Sequence, residues 1–176
     1  FYKVLQKDNH SNDILMLEIL SFFKKNKRKL NNISKIFVNL GPGSFSGIRG
    51  SIATSQGISL ASKIHVFGYS SFQLLRSSFH QKIKPYGFLI KINNNYFFQP
   101  DKKVNKFGIV KKLSRDMIIN ILKKNIIVSS FNYSQNTDPE ILQSKNFKLI
   151  KVNYNKLELL YDNNLLQKKF IKPLYI

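Results

Sequence analysis

The sequence contains no cysteine, which excludes disulfides, zinc–thiolate sites and cysteine nucleophiles. Its three histidines, His10, His65 and His80, lie far apart and form no HxxxH or HExxH metal spacing. No apolar run reaches the roughly 18 residues of a membrane span and no signal-peptide pattern is present, so a cytoplasmic protein is the expectation. Acidic residues are scarce, 9 against 29 lysines and arginines, giving a formal net charge of +20. Arginine is itself rare, limited to Arg28, Arg49, Arg76 and Arg115, so the excess is lysine. Lysine, asparagine, isoleucine and phenylalanine are abundant together, the pattern that an A/T-rich coding bias produces. Bulk charge of this kind does not specify nucleic-acid recognition, although the run Lys24-Lys25-Asn26-Lys27-Arg28-Lys29 favours phosphates in a salt-dependent way. The chain also starts without methionine, in strand-like sequence, and the expectation is a fragment lacking its natural start.

Glycine is equally sparse, 8 in 176 residues, yet Gly41, Gly43, Gly47 and Gly50 fall within ten positions. They belong to the stretch NLGPGSFSGIRG, residues 39–50, which follows the strand-like run ISKIFV and opens a helix. A glycine loop between strand and helix either lets backbone N–H groups face an anion or supplies a tight turn. A phosphate-binding loop of the GxxxxGK[ST] kind needs a lysine where this chain has Ile48, and the spacing G-x-G-x-x-x-G also misses GxGxxG. The loop therefore reads chiefly as architecture, with Pro42 fixing one φ and Ser44 or Ser46 capping the helix. The alternative, left open, is that its N–H groups and Arg49 touch a nucleotide shared with a partner.

With 43% hydrophobic residues the chain can build one large domain or two small ones. Phe1 to Lys7 reads as a strand, and His10-Ser11-Asn12 as a helix start. In the helix that follows, Asp13 to about Lys27, only Glu18 and Ser21 are polar between Ile14 and Phe23. A helix apolar nearly all round is buried on two sides, in its own fold or against a partner. Ile33 to Leu40 is a strand, and the next helix runs from about Ser46 to Ser62. Gly50, Ala53, Thr54, Gly57 and Ala61 recur along it at three- and four-residue spacing, a strip of small side chains that lets another helix approach closely. A strand at Ile64 to Gly68 and a helix from Ser70-Ser71 to Phe79 follow, with a break at Pro85.

Beyond that break, Tyr86 to Ile92 and Tyr96 to Gln99 form a hairpin around Asn93-Asn94-Asn95, and Val104 to Val110 adds a strand. Ser114 to Lys124 is a helix, Ile126 to Phe131 a strand, and Asp138-Pro139-Glu140 a helix start. Phe147 to Tyr154 reads as strand and Asn155 to Phe170 as the last helix. The alternation predicts an α/β fold with mixed sheets, divided into lobes at residues 1–84 and 85–176.

The stretch GPGSFSGIRGSIATSQGISLASKIHVFGYSSFQLL, residues 41–75, resembles the TsaB family, also called YeaZ, which is related to the so-called glycoproteases. Its GPGSFTG loop appears as Gly41, Pro42, Gly43, Ser44, Phe45, Ser46 and Gly47, with Arg49 two residues on. His10-Ser11 matches the family's upstream H-S/T segment, and Lys172-Pro173-Leu174-Tyr175-Ile176 its terminal strand. The resemblance implies an actin/Hsp70-like (ribonuclease H-like) fold of two α/β lobes. It also implies a non-catalytic subunit of the machinery that makes threonylcarbamoyladenosine in tRNA. Its partners would be a catalytic TsaD-like subunit and a TsaE-like ATPase, with tRNA reached mainly through the complex and a homodimer as another arrangement. The pairing surface would come from the two helices flanking the glycine loop, here Leu15, Ile19, Phe22 and Phe23 with Gly50, Ala53, Thr54, Gly57 and Ala61. No cofactor would be tightly bound, with ATP or ADP shared at the interface.

Departures from the family pattern are specific. The leading hairpin with its D-T-S/A turn does not precede Phe1, Gly50-Ser51 alter the usual order after the arginine, and the family's D-A-R segment aligns with Lys91-Ile92-Asn93, losing its acid. No G-x-S-x-G elbow or Ser/His/Asp set supports a protease. The competing reading is an actin-like enzyme that binds ATP and acts on a small molecule, which would need a carboxylate near the loop.

Overall fold

The computed structural model describes residues 14–80, 82–101, 108–133, 137–168 and 171–174. The expected first strand and the His10-Ser11-Asn12 helix start lie outside the described residues. Helix α1 (Leu15–Lys25) carries Lys24 and Lys25 in its last turn, where they complement the helix dipole, and Asn26 Nδ2 donates to the Phe22 carbonyl at 2.7 Å. A short 3-10 turn, Leu30–Asn32, leads into β1 (Lys35–Asn39). From there the chain makes a βαβ unit. α2 (Phe45–Ser62) returns it to β2 (His65–Tyr69), which pairs in parallel with β1 from Lys35↔His65 to Asn39↔Tyr69. Lys63 ends α2 in the left-handed conformation, φ 57°.

Helix α3 (Ser71–Ser78) starts with a capping box: Gln73 N donates to Ser70 Oγ at 3.0 Å, and Ser70 N donates to Gln73 Oε1 at 2.8 Å. Next come β3 (Gly87–Ile92) and β4 (Asn95–Pro100), an antiparallel hairpin turned at Asn93 with φ 52°. Then follow β5 (Lys111–Leu113), α4 (Arg115–Leu122), β6 (Ile127–Ser130), α5 (Pro139–Gln143), β7 (Phe147–Ile150) and α6 (Lys156–Asp162). They build a five-stranded sheet ordered β5-β4-β3-β6-β7, antiparallel on the hairpin side and parallel across β3, β6 and β7. Both sheets together are the mixed α/β arrangement that the alternation predicts.

The strand period of two separates the cores. On β3, Leu89 faces Ile118 and Leu122 of α4 and Ile141 of α5, whereas Phe88 and Ile90 face Phe72, Leu74 and Leu75 of α3 with Leu157 and Leu160 of α6. The second cluster also takes in Phe67 and Tyr69 of β2, so it joins residues from both sides of position 84. A third cluster, Val38, Leu40 and Ile52, seats α2 on its sheet. Gly68 N and O exchange hydrogen bonds with Gln167 at 2.9 Å, and Leu174 N donates to Leu40 O at 2.8 Å, so the last described segments strap the small sheet. Lys35 of β1 meets Glu158 of α6 at 2.9 Å, a pairing that raises the lysine pKa.

Some elements differ from the sequence reading. Residues 104–107 lie outside the described residues, 108–110 carry no strand, and the strand is 111–113. β7 stops at Ile150, and α6 stops at Asp162 instead of reaching Phe170, because Asn163 and Asn164 (φ 57°) turn the chain out of the helix. Residues 171–174 form no strand.

Candidate functional site

The glycine loop is held from behind by β1 and α3. Gly41 N donates to Asn39 Oδ1 at 2.9 Å, Ser71 N donates to Gly41 O at 2.8 Å, and Ser71 Oγ donates to Pro42 O at 3.0 Å. Gly41 adopts φ +113°, a conformation open to glycine alone in practice, and its peptide bond to Pro42 is cis. A β-carbon at Gly41 or Gly43 would stand 3.1 Å from Ile48 Cδ1, and one at Gly47 would strike Ser44 Oγ. These glycines let α2 begin directly over the loop. Ser44 occupies the N-cap position, but its side chain accepts no capping hydrogen bond, and Ser46 is an exposed first-turn residue. The expected serine cap is therefore absent; the first turn is set by packing of the loop against Ile48.

In front of the loop lies a cleft of about 240 Å³. It is lined by Pro42, Gly43, Ser44, Phe45 and Ile48 from the loop, Ile92, Asn93, Asn95 and Phe97 from the β3–β4 hairpin, and Pro173 and Leu174. Its polar side chains are neutral, Ser44 and two asparagines; no described lining residue is charged. Lys91 sits over the Tyr96 ring at 5.2 Å. Arg49 is exposed on α2, its guanidinium 4.8 Å from the centroid of the Phe45 ring. Among the described residues no three His, Asp or Glu side chains come together to hold a metal.

The two helices that flank the loop in sequence pack on each other, and both carry exposed apolar side chains. α1 has no buried residue. Leu15, Ile19, Phe22 and Phe23 are half-buried, while Met16, Leu17 (66% exposed) and Leu20 point outward. The fold itself thus covers only one side of a helix whose sequence is apolar nearly all round. α2 turns Ile52, Ser55 and Ile58 inward. Its opposite side carries Phe45 (62% exposed), Ala53, Gly57, Leu60 (86% exposed) and Ala61, with Gly50 and Thr54 half-buried at its border. Nothing lies within 4 Å of a β-carbon built on Gly57. The small-residue strip is an outward surface in this chain. Met16, Leu17, Leu20 and Leu60 escaped the sequence reading, although the all-round apolar pattern of α1 was the signal that could have found the first three.

A family model described as TsaD, tRNA N6-adenosine threonylcarbamoyltransferase, matches residues 5–156. A protein of Buchnera aphidicola subsp. Baizongia pistaciae named tRNA threonylcarbamoyladenosine biosynthesis protein TsaB is 33% identical over 124 residues, 68% of this chain and 56% of that protein. Its namesake from Buchnera aphidicola subsp. Schizaphis graminum is 35% identical over 81 residues, 44% of this chain and 39% of its own. The chain thus spans about half the length of the curated relatives it matches, or less. Two solved Pseudomonas aeruginosa structures share the fold. One, a protein with similarity to the peptidase YeaZ, aligns at a TM-score of 0.62 and 12% identity, covering 99% of this chain and 87% of that one. The other, YeaZ, aligns at 0.58 and 11%, covering 100% and 88%. The actin/Hsp70-like arrangement expected from residues 41–75 is therefore the arrangement found. By a family-model match over most of its length and by its curated relatives, the chain belongs to the TsaB/YeaZ family of glycoprotease-related proteins.

Proposed function

We propose that this chain is a non-catalytic subunit of the cytoplasmic machinery that forms threonylcarbamoyladenosine in tRNA. In this reading it pairs through α1 and α2 with a TsaD-like catalytic subunit, and a TsaE-like ATPase joins the pair. The observation that carries it is the outward apolar side of α1, Met16, Leu17 and Leu20, beside the small-residue side of α2. Exposed apolar surface of this kind is stabilised by a partner that removes it from water, and glycine and alanine on α2 permit a close helix approach. A second copy of the chain could occupy the same surface when the catalytic subunit is absent.

The glycine-loop cleft supports a supporting role for nucleotide. Ser44, Asn93 and Asn95 offer hydrogen bonds to ADP or ATP, but the described lining brings no cation to the phosphates and no carboxylate to a reacting group. Retention of a nucleotide then depends on groups from the partner, and an ATP-using enzyme acting alone is not favoured.

Reconstitution with TsaD-like and TsaE-like subunits, ATP and unmodified tRNA tests the proposal. Modified adenosine, measured by nucleoside mass spectrometry, should form only when this chain is included. Full modification without it, or ATP hydrolysis by the isolated chain, would contradict the reading.

A further inference from the structure

A second groove, of about 550 Å³, lies at the open end of the β3–β4 hairpin, and its character is opposite to that of the glycine-loop cleft at the turn end. Lys84, Lys111 and Lys124 line it, and all three are exposed. The one carboxylate among its lining residues, Asp101, is already paired with Arg76, Nε to Oδ1 at 3.4 Å. The three lysines come from three separate places in the chain: the approach to β3, strand β5 and the turn after α4. Tyr86, half exposed, lines the same groove. Its backbone is fixed on both sides, since Tyr86 N donates to Ile126 O at 2.8 Å and Asp101 N donates to Tyr86 O at 2.9 Å. Its ring stacks on buried Phe98, with centroids 5.8 Å apart and planes inclined by 24°, and Lys111 is the direct cross-strand neighbour of Phe98.

We infer that this groove binds a single-stranded nucleic-acid segment, the lysines taking successive phosphates and the Tyr86 ring carrying a base. Cations along a groove with an aromatic platform are the combination such strands need: backbone charge is neutralised and any base offers a π-face. Lysine fits because a phosphate chain asks for point charges without a fixed fork. The platform is rigid, so stacking orders little that is not already ordered. The groove chemistry stands by itself; naming RNA as the strand rests on the pathway proposed above.

Fluorescence anisotropy of the isolated chain with a labelled oligouridylate, over about 50 to 200 mM salt, tests this. The triple variant Lys84→Ser, Lys111→Ser, Lys124→Ser should bind roughly tenfold or more weakly and flatten the log–log salt slope by about 2, the share of three single-strand phosphate contacts. Tyr86→Ala should weaken binding about fivefold or more with the slope kept, and Tyr86→Phe should restore it. A charge-matched control, Lys24→Ser, Lys25→Ser, Lys29→Ser, should lose only the non-specific share of that run, well short of the tenfold loss of the groove variant. If the control loses as much as the groove variant, bulk charge is the cause and the groove proposal fails; it fails equally if Tyr86→Ala binds like the parent. Binding of oligouridylate at least as tight as oligothymidylate supports RNA, and a preference for the DNA overturns that assignment. Modification activity without oligonucleotide binding would sink the groove alone, whereas groove-dependent binding without any modification activity would sink the pathway reading alone.

Discussion

Ser71 holds Gly41 in place: its amide donates to the Gly41 carbonyl oxygen at 2.8 Å while its hydroxyl reaches Pro42 O at 3.0 Å. Ser71 is fully buried, so the first residue of α3 anchors the loop that starts α2. Ser71→Ala leaves Pro42 O and Asn39 Nδ2 short of a partner and should cost about 1–3 kcal/mol. Gly41→Ala should cost a similar amount, because φ +113° strains any β-carbon and Ile48 Cδ1 stands in its way. Urea midpoints measure both; an unchanged midpoint for Gly41→Ala would show that the loop relaxes freely.

Gly57→Leu separates folding from pairing. A packed site would be destabilised by added bulk, the sequence-level expectation for a small-residue strip. With nothing within 4 Å of its β-carbon, Gly57 should accept leucine with stability unchanged or slightly raised, since leucine is the better helix former. Co-purification with the proposed TsaD-like partner should nonetheless fall. Loss of stability without loss of pairing would contradict the outward placement of the strip.

Arg49 is exposed and rests over Phe45, so Arg49→Ala should change stability by no more than about 0.5–1 kcal/mol. A thermal melt checks this. If complex activity drops while the melt is unchanged, Arg49 serves the partner or a nucleotide held between subunits; a large stability loss would make it structural.

The junction of α4 and α5 gives a pH prediction. Arg115 Nε donates to Asp138 Oδ2 at 2.7 Å, and this bond holds the Asp138 carboxyl below its ordinary 3.8. A pKa depressed by folding means stability that is complete above the unfolded value and lost as pH falls through the folded one. Asp138→Asn, which keeps a capping side chain for α5, should therefore lower the melting temperature near pH 7, with the gap closing below about pH 4. Arg115 is exposed and Asp138 half-buried, so salt should shrink the effect in part. A gap that persists at low pH would assign it to capping rather than charge.

Local chemistry made much of this fold legible. Asp138-Pro139 starts α5, Ser70 and Gln73 close the capping box of α3, and Asn93 turns the β3–β4 hairpin, because each acts within a few residues. The end of α6 was harder to see, since the apolar pattern continues through Leu165 and Leu166 while the backbone leaves the helix at Asn163. Leu166 is buried from an irregular segment, which periodicity cannot distinguish from a helix. Of the candidate site, the glycine loop and its two helices could be read directly. Which side of α1 faces outward could not, because only the packing of α1 on α2 leaves Leu17 and Leu20 exposed while half-covering Ile19 and Phe22. The basic groove was likewise invisible: Lys84, Lys111 and Lys124 meet only through the order of strands in the large sheet.

The pairing affinity of a Leu17→Asp, Leu20→Asp variant for the TsaD-like subunit, measured by titration calorimetry, tests the central claim most directly. Both side chains are exposed in the isolated chain, so the variant should fold with the parent's melting temperature. Placing two carboxylates in a buried apolar contact should weaken pairing at least about a hundredfold, since each desolvated charge costs several kcal/mol. Parent-like affinity from the folded variant would mean that α1 is not the docking surface.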